Sequence, residues 1–223
     1  MSWFSLLSLD GHQFKVFKKM PTTKPVGMVI VLQEIFGVNN HIETICKQLA
    51  AQGWLAVAPA LFDRVQGEQA LGYSATDIEI GRYKKEQITS AMALLDIEAV
   101  FQWGRKQDYK TAVLGFCWGG TLAWLAASRL PLDAAVIYYG TQVAENLQAN
   151  PSIPVLMHFG ATDAHIPQSD VKKIAASFPA AVIYQYPAGH GFNCDERPAY
   201  HKPSAELSWS RTKEFLVNHI GVK

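Results

Sequence analysis

Apolar residues in this chain recur in two rhythms. Short runs of β-branched and aliphatic residues, of strand length, alternate with stretches whose apolar positions return every three or four residues. Gly27 to Leu32 reads as a buried strand. His41 to Ala51 follows as a helix with Ile42, Ile45, Cys46 and Leu49 on one face, and Gly53 stops it. Leu55 to Ala58 is the next strand, closed by Pro59. Ala91, Leu94, Ile97 and Phe101 mark a second helix, Thr111 to Phe116 a strand, and Gly119 to Ser128 a third helix. Strands over Ala134 to Tyr139, Val155 to Phe159 and Val182 to Tyr186 complete the series, with a helix at Asp170 to Ser177. A last helix runs from about Ala199 to His219, with Trp209, Thr212, Leu216 and His219 on one face. Gln13 to Phe17 adds an antiparallel edge strand. Leu61 to Gln87 has weak periodicity and reads as a lid or a partly helical excursion.

Strands that alternate with helices build a mainly parallel sheet with helices on both faces. The 223 residues suit one α/β domain over 1–223. Ligands bind such sheets beyond the carboxyl ends of the strands. That rule points to the segments just after Leu32, Phe116, Phe159 and Tyr186.

Composition narrows the partners. Hydrophobic residues make up 49% of the chain, enough for a sizeable core, and the net charge is +1. Neither a basic surplus nor a charged block points to nucleic acid or a membrane surface, and no apolar run approaches bilayer length. Met1 to Asp10 lacks a basic leader and a small-residue cleavage site, so it does not read as a signal peptide. The three cysteines, Cys46, Cys117 and Cys194, are too few for a disulfide framework, and a cytoplasmic setting is expected. A monomer is plausible, and the sequence does not fix the oligomeric state.

Gly115-Phe116-Cys117-Trp118-Gly119-Gly120 follows a strand and opens an apolar helix. This is the setting of a nucleophile elbow, where a sharp turn presents one side chain and glycines on either side avoid collisions. Cys117 stands at a helix N-terminus, which favours a thiolate. A thiol needs a base and the base an orienting group. His190 lies between Gly189 and Gly191 beyond the last strand, and Asp163 lies beyond the strand before it. The order nucleophile, acid, histidine is that of α/β-hydrolases. Glu34 follows the first buried strand at the level of the site, and the backbone N–H groups of Ile35 and Trp118 are placed to receive an oxyanion. His158, Asp163, His165 and His190 lack the tight pair spacing of zinc motifs, so no metal is expected. Cys46 reads as core and Cys194 as an inert loop thiol.

Together these segments resemble the dienelactone hydrolase family, through Gln33-Glu34-Ile35-Phe36-Gly37, the cysteine elbow, Gly160-Ala161-Thr162-Asp163 and Gly189-His190-Gly191-Phe192. The resemblance implies an α/β-hydrolase fold and a triad of Cys117, Asp163 and His190. It implies cleavage of a small ester or lactone through a thiol acyl-enzyme, with no cofactor. It also assigns Glu34 the task of taking the thiol proton when substrate binds. Members that cleave dienelactone hold its carboxylate with arginines, one of them four residues after the histidine. Here that position is Cys194, so Arg82, Tyr83 and Arg197 are the candidate substrate contacts and the substrate stays open. A thioesterase or other acyl hydrolase, or a thiol sensor without turnover, is the alternative.

Overall fold

A computed structural model of the chain describes residues 2–221. In chain order the strands are β1 (Ser2–Leu7), β2 (Gln13–Lys19), β3 (Met28–Leu32), β4 (Leu55–Pro59), β5 (Thr111–Phe116), β6 (Ala134–Tyr138), β7 (Val155–Gly160) and β8 (Val182–Tyr186). The helices are α1 (Asn40–Ala51), α2 (Ala75–Gln87), α3 (Ser90–Arg105), α4 (Trp118–Arg129), α5 (Gln168–Ser177) and α6 (Lys202–Ile220). All eight strands form one sheet in the order β1-β2-β4-β3-β5-β6-β7-β8. β1 and β2 are antiparallel to their neighbours, and β4 through β8 run parallel with β3.

The chain leaves β3 in one direction across the sheet to reach β4, then crosses back to β5 on the other side of β3. Right-handed crossovers in opposite directions place their helices on opposite faces. α1 therefore shares one face with α6, while α3 and α4 pack together on the other. Every residue of β3, β5 and β6 is buried, as expected of parallel strands covered on both sides. The reversal between β3 and β5 opens a crevice at their carboxyl ends.

Two departures from the pattern-based reading have physical causes, and the expected excursion over Leu61 to Gln87 is partly helical. Gln13–Lys19 is antiparallel but lies second from the edge, because Ser2–Leu7 pairs outside it with Ser2 opposite Lys18. β1 carries apolar residues on both faces (Trp3 and Leu7 exposed, Phe4 tilted against Trp103 at 4.8 Å between ring centroids), so it shows no alternation to read. The Leu61 to Gln87 excursion contains a 3-10 turn at Leu61–Arg64 and the thirteen-residue α2. The side chain and backbone of Ser74 exchange hydrogen bonds with Asp77, a capping box that starts α2. Finally, α6 turns Ser204, Ala205, Ser208, Thr212, Leu216 and Ile220 inward, rather than Trp209 and His219. That small, polar stripe lets the helix approach closely, and Thr212 Oγ1 bonds both Tyr138 Oη at 2.8 Å and His158 Nε2 at 3.0 Å.

No helix among the described residues is long and apolar enough to cross a membrane.

Candidate active site

The crevice is a cavity of about 250 Å³ lined by Ile35, Phe36, Ile78, Arg82, Lys85, Cys117, Trp118, Thr141, His165, His190 and Arg197. Its floor is the turn between β5 and α4. Cys117 has φ of 53°, in the left-handed region that a side chain rarely occupies. A side chain at Gly115 would strike the Gly119 carbonyl, and one at Gly119 would strike the carbonyls of Leu32 and Gln33. The two glycines therefore let β3, β5 and α4 close together while Cys117 is held outward. Its backbone N–H donates to Tyr138 O at 3.0 Å, which ties the strained turn to β6.

The loops after β7 and β8 bring the next two groups together. His190 Nδ1 donates to Asp163 Oδ2 at 2.7 Å, and Asp163 Oδ1 accepts from His165 N at 2.8 Å. The Asp163 side chain is fully buried, so it is no exposed turn residue, and α5 begins at Pro167 without it. With Nδ1 engaged by Asp163, Nε2 is the nitrogen left for Cys117. Burial is the largest influence on His190 and lowers its pKa. The charge of Cys117, followed by the hydrogen bond to Asp163, outweighs burial and carries it up to about 10. Cys117→Ala is expected to lower the His190 pKa, because it removes the strongest influence favouring the imidazolium. A ¹H–¹⁵N NMR titration of the imidazole checks this, and an unchanged midpoint would show that Cys117 does not act on the ring.

The N–H groups of Ile35 and Trp118 have no protein acceptor among the described residues. That of Trp118 is free because it opens α4. Both remain able to donate into the cavity.

Glu34 is 2% exposed. Its carboxylate accepts from Arg197 Nη1 at 2.7 Å, its one side-chain hydrogen bond among the described residues, and it makes none to Cys117. Arg197 reaches this place because the chain folds back on itself. Cys194 N bonds Gly191 O, and Arg197 N bonds Cys194 O, both at 3.1 Å. The guanidinium then lies against Gly191, where any side chain would collide with it. Gly191, with φ of 80°, gives the histidine loop its turn and leaves room for the guanidinium.

On α2, Ile78, Arg82 and Lys85 face the cavity at positions one helical turn apart. Tyr83 is rotated by about 100° from Arg82 and is 60% exposed, so it does not join the site. Ile78, Lys85 and Thr141 line the cavity without having been singled out by the sequence, and His165, weighed there only as a metal ligand, joins them. For α2, the Ser74-x-x-Asp77 capping box is the signal that could have exposed them. Arg82, Lys85 and Arg197 give the mouth a positive lining, offset in the described structure by Glu34 alone among the side chains paired with them.

Cys194 lies in the loop between β8 and α6, with its thiol turned into the protein. It is buried, donates to Tyr73 Oη at 3.1 Å, and burial pushes its pKa up to about 11. Tyr73 Oη also accepts from Asn39 Nδ2 at 3.0 Å. Among the described residues, His158, Asp163, His165 and His190 do not form a common cluster of candidate ligand atoms. His158 is engaged by Tyr186 Oη at 2.8 Å and by Thr212. Cys46 is fully buried in the core.

Residues 14–220 match the family described as the Dienelactone hydrolase family. The "Putative carboxymethylenebutenolidase" of Yersinia pestis is 38% identical over 88% of this chain and 80% of its own length. The carboxymethylenebutenolidase of Pseudomonas putida is 32% identical over 96% of this chain and 94% of its own. Among solved structures, the "Putative Dienelactone Hydrolase" of Klebsiella pneumoniae superposes with a TM-score of 0.83 at 31% identity, covering 98% of this chain and 100% of that one.

Proposed function

The chain belongs to the dienelactone hydrolase family and is a hydrolase of lactone or ester bonds on an α/β-hydrolase fold; from that premise we propose that Cys117 is its nucleophile, working through a thiol acyl-enzyme. The observation that carries this reading is the convergence, at the carboxyl edge of the sheet, of a strained, outward-held Cys117 and a His190 whose Nδ1 is fixed by buried Asp163.

The thiolate of Cys117 attacks the carbonyl carbon, and the developing oxyanion is received by the N–H groups of Ile35 and Trp118. His190 then gives its proton to the departing alkoxide, which in a lactone remains attached to the acyl group. Water attacks the thioester with His190 as base, and the acid is released with the thiol restored. Asp163 holds the imidazole in the orientation these transfers need.

Arg82 and Arg197, with Lys85 beside them, suit a substrate that carries a carboxylate. Such a substrate competes with Glu34 for Arg197. Drawn away from Arg197, Glu34 becomes a buried, unpaired carboxylate and hence a stronger base. In this reading it takes the proton of the Cys117 thiol, so that the reactive thiolate appears when substrate is present. The substrate class we propose is therefore a small anionic lactone or ester.

Rapid acid quench during turnover of an aryl acetate should leave an acetyl group on the peptide that contains Cys117, read by mass spectrometry. An acetyl group found elsewhere, or none during steady turnover with a demonstrably rate-limiting second step, would overturn the thiol acyl-enzyme.

A further inference from the structure

Where α1 meets the loop between β8 and α6 lies a second group of side chains with metal-ligating atoms that the hydrolytic reading does not use as a set. One donor atom from each of Glu34, His41 and Cys194 lies within 4.8 Å of the others, and all three residues are buried. Three buried polar atoms in this region lack any hydrogen-bond partner: His41 Nε2, Asn193 Oδ1 and Tyr139 Oη. Buried polar atoms nearly always find partners, so three together in one region call for an occupant.

A route to the group exists. A separate cavity of about 130 Å³ is lined by His41 from α1, by Asn193 and Asp195, and by Glu206 from α6. The charged groups that act on His41 are Glu34, Asp195 and Glu196, against Arg197 alone. The approach is thus acidic, with His41 between the cavity and the buried carboxylate and thiol.

We propose that Glu34, His41 and Cys194 bind a single zinc-like divalent cation, entering by the cavity over His41, and that the bound cation holds Glu34 away from Cys117. One carboxylate, one imidazole and one thiolate form a mixed oxygen, nitrogen and sulfur set, which suits zinc or cobalt and not magnesium or calcium. Metal–ligand bonds of roughly 2.0–2.3 Å put tetrahedral donors some 3.3–3.8 Å apart, so side-chain shifts on the order of 1 Å close the site. As the sulfur–metal bond forms, the Cys194 thiol proton passes to solvent, and no electron is transferred. The two negative ligands balance the cation, and among the described residues that act on His41 only Arg197 opposes it. The site stands on its own geometry. Its inhibitory effect rests on the reading of Glu34 as the group that takes the proton of Cys117.

The test uses full-length Cys117→Ser protein, which removes the thiol most able to bind metal beside His190. Titration with Co²⁺ should produce thiolate-to-cobalt charge-transfer absorption that saturates at one equivalent. Adding Cys194→Ser should abolish that band. Adding His41→Gln should weaken binding at least about tenfold, a scale that even outer partners of a metal reach. Adding Arg197→Gln should tighten it, a response that a purely structural role for the cluster would not give. Melting temperatures confirm that each variant is folded, and if one is not, the other two decide. Absence of the band in Cys117→Ser, or its persistence after Cys194→Ser, overturns the site. In wild type, Zn²⁺ should inhibit ester hydrolysis, with an inhibition constant at least about tenfold higher in Cys194→Ser. Equal inhibition of both proteins would overturn the inhibitory role. Acylation of Cys117 without metal is measured separately, so either reading can fail without the other.

Discussion

Cys117→Ala is expected to lower kcat on aryl esters and enol lactones by a factor on the order of 10⁴ to 10⁶, the range seen when a hydrolase loses its nucleophile. Alanine should leave the elbow intact. The turn is held by Gly115, Gly119 and the Cys117 N–H bond to Tyr138, none of which involves the thiol. The loss is therefore chemical, and a melting temperature close to wild type would confirm it. Some acceleration should remain, because the Ile35 and Trp118 N–H groups still receive the oxyanion and His190 can still activate water. KM should change far less than kcat, since Cys117 meets the substrate mainly in the transition state. A variant that kept a tenth or more of wild-type kcat would sink the assignment, and catalysis would then have to run through His190 as a general base toward water.

How far such a site can be read from sequence depends on how local its geometry is. The elbow is local: the steric demand on Gly115 and Gly119 is made by residues a few positions away or by the adjoining strand, and the pattern records it. Asp163 and His190 were legible because each follows a strand of the parallel sheet, and strand ends converge. Arg197 was not placed by the same logic. Its approach depends on two successive turns between Gly191 and Arg197, which carry it to the carboxylate from three residues beyond the expected position. α2 was obscure for another reason. Of its thirteen residues only Gly81 and Lys84 are buried, so no apolar stripe announces it. Its inner face covers a polar cavity and holds Arg82 and Lys85. Lys84 is itself engaged, its Nζ donating to Val65 O at 3.2 Å and Gln66 O at 3.0 Å. A helix anchored by a buried lysine and a capping box leaves almost no hydrophobic signature. The burial of Cys194 was not legible because a thiol in a loop looks alike whether exposed or buried, and its partner Tyr73 is 121 residues away in sequence.

Removing both Arg82 and Arg197 should collapse the preference for anionic substrates by a factor on the order of 10² to 10⁴, taking about 1.5–3 kcal/mol for each charged hydrogen bond. The readout is the ratio of kcat/KM for a carboxylate-bearing lactone to that for a neutral ester of similar size. The two single variants should differ in kind. Arg82 is exposed on α2 and has no side-chain partner among the described residues, so Arg82→Ala should act mainly on KM for the anionic substrate. Arg197 has two functions in this scheme, because it also neutralises Glu34. In Arg197→Ala the buried carboxylate loses its counter-charge whether or not substrate is present. The thiol should then lose its proton to Glu34 without waiting for an anion. Neutral esters should be cleaved as fast as by wild type or faster, while the anionic substrate loses both its clamp and its advantage as a trigger. Free Cys117 in that variant should also react faster with iodoacetamide, an uncharged probe that cannot itself displace Arg197. If Arg197→Ala slowed neutral and anionic substrates equally and left alkylation unchanged, Arg197 would be only a structural partner of Glu34. The link between substrate charge and the state of Cys117 would then be lost.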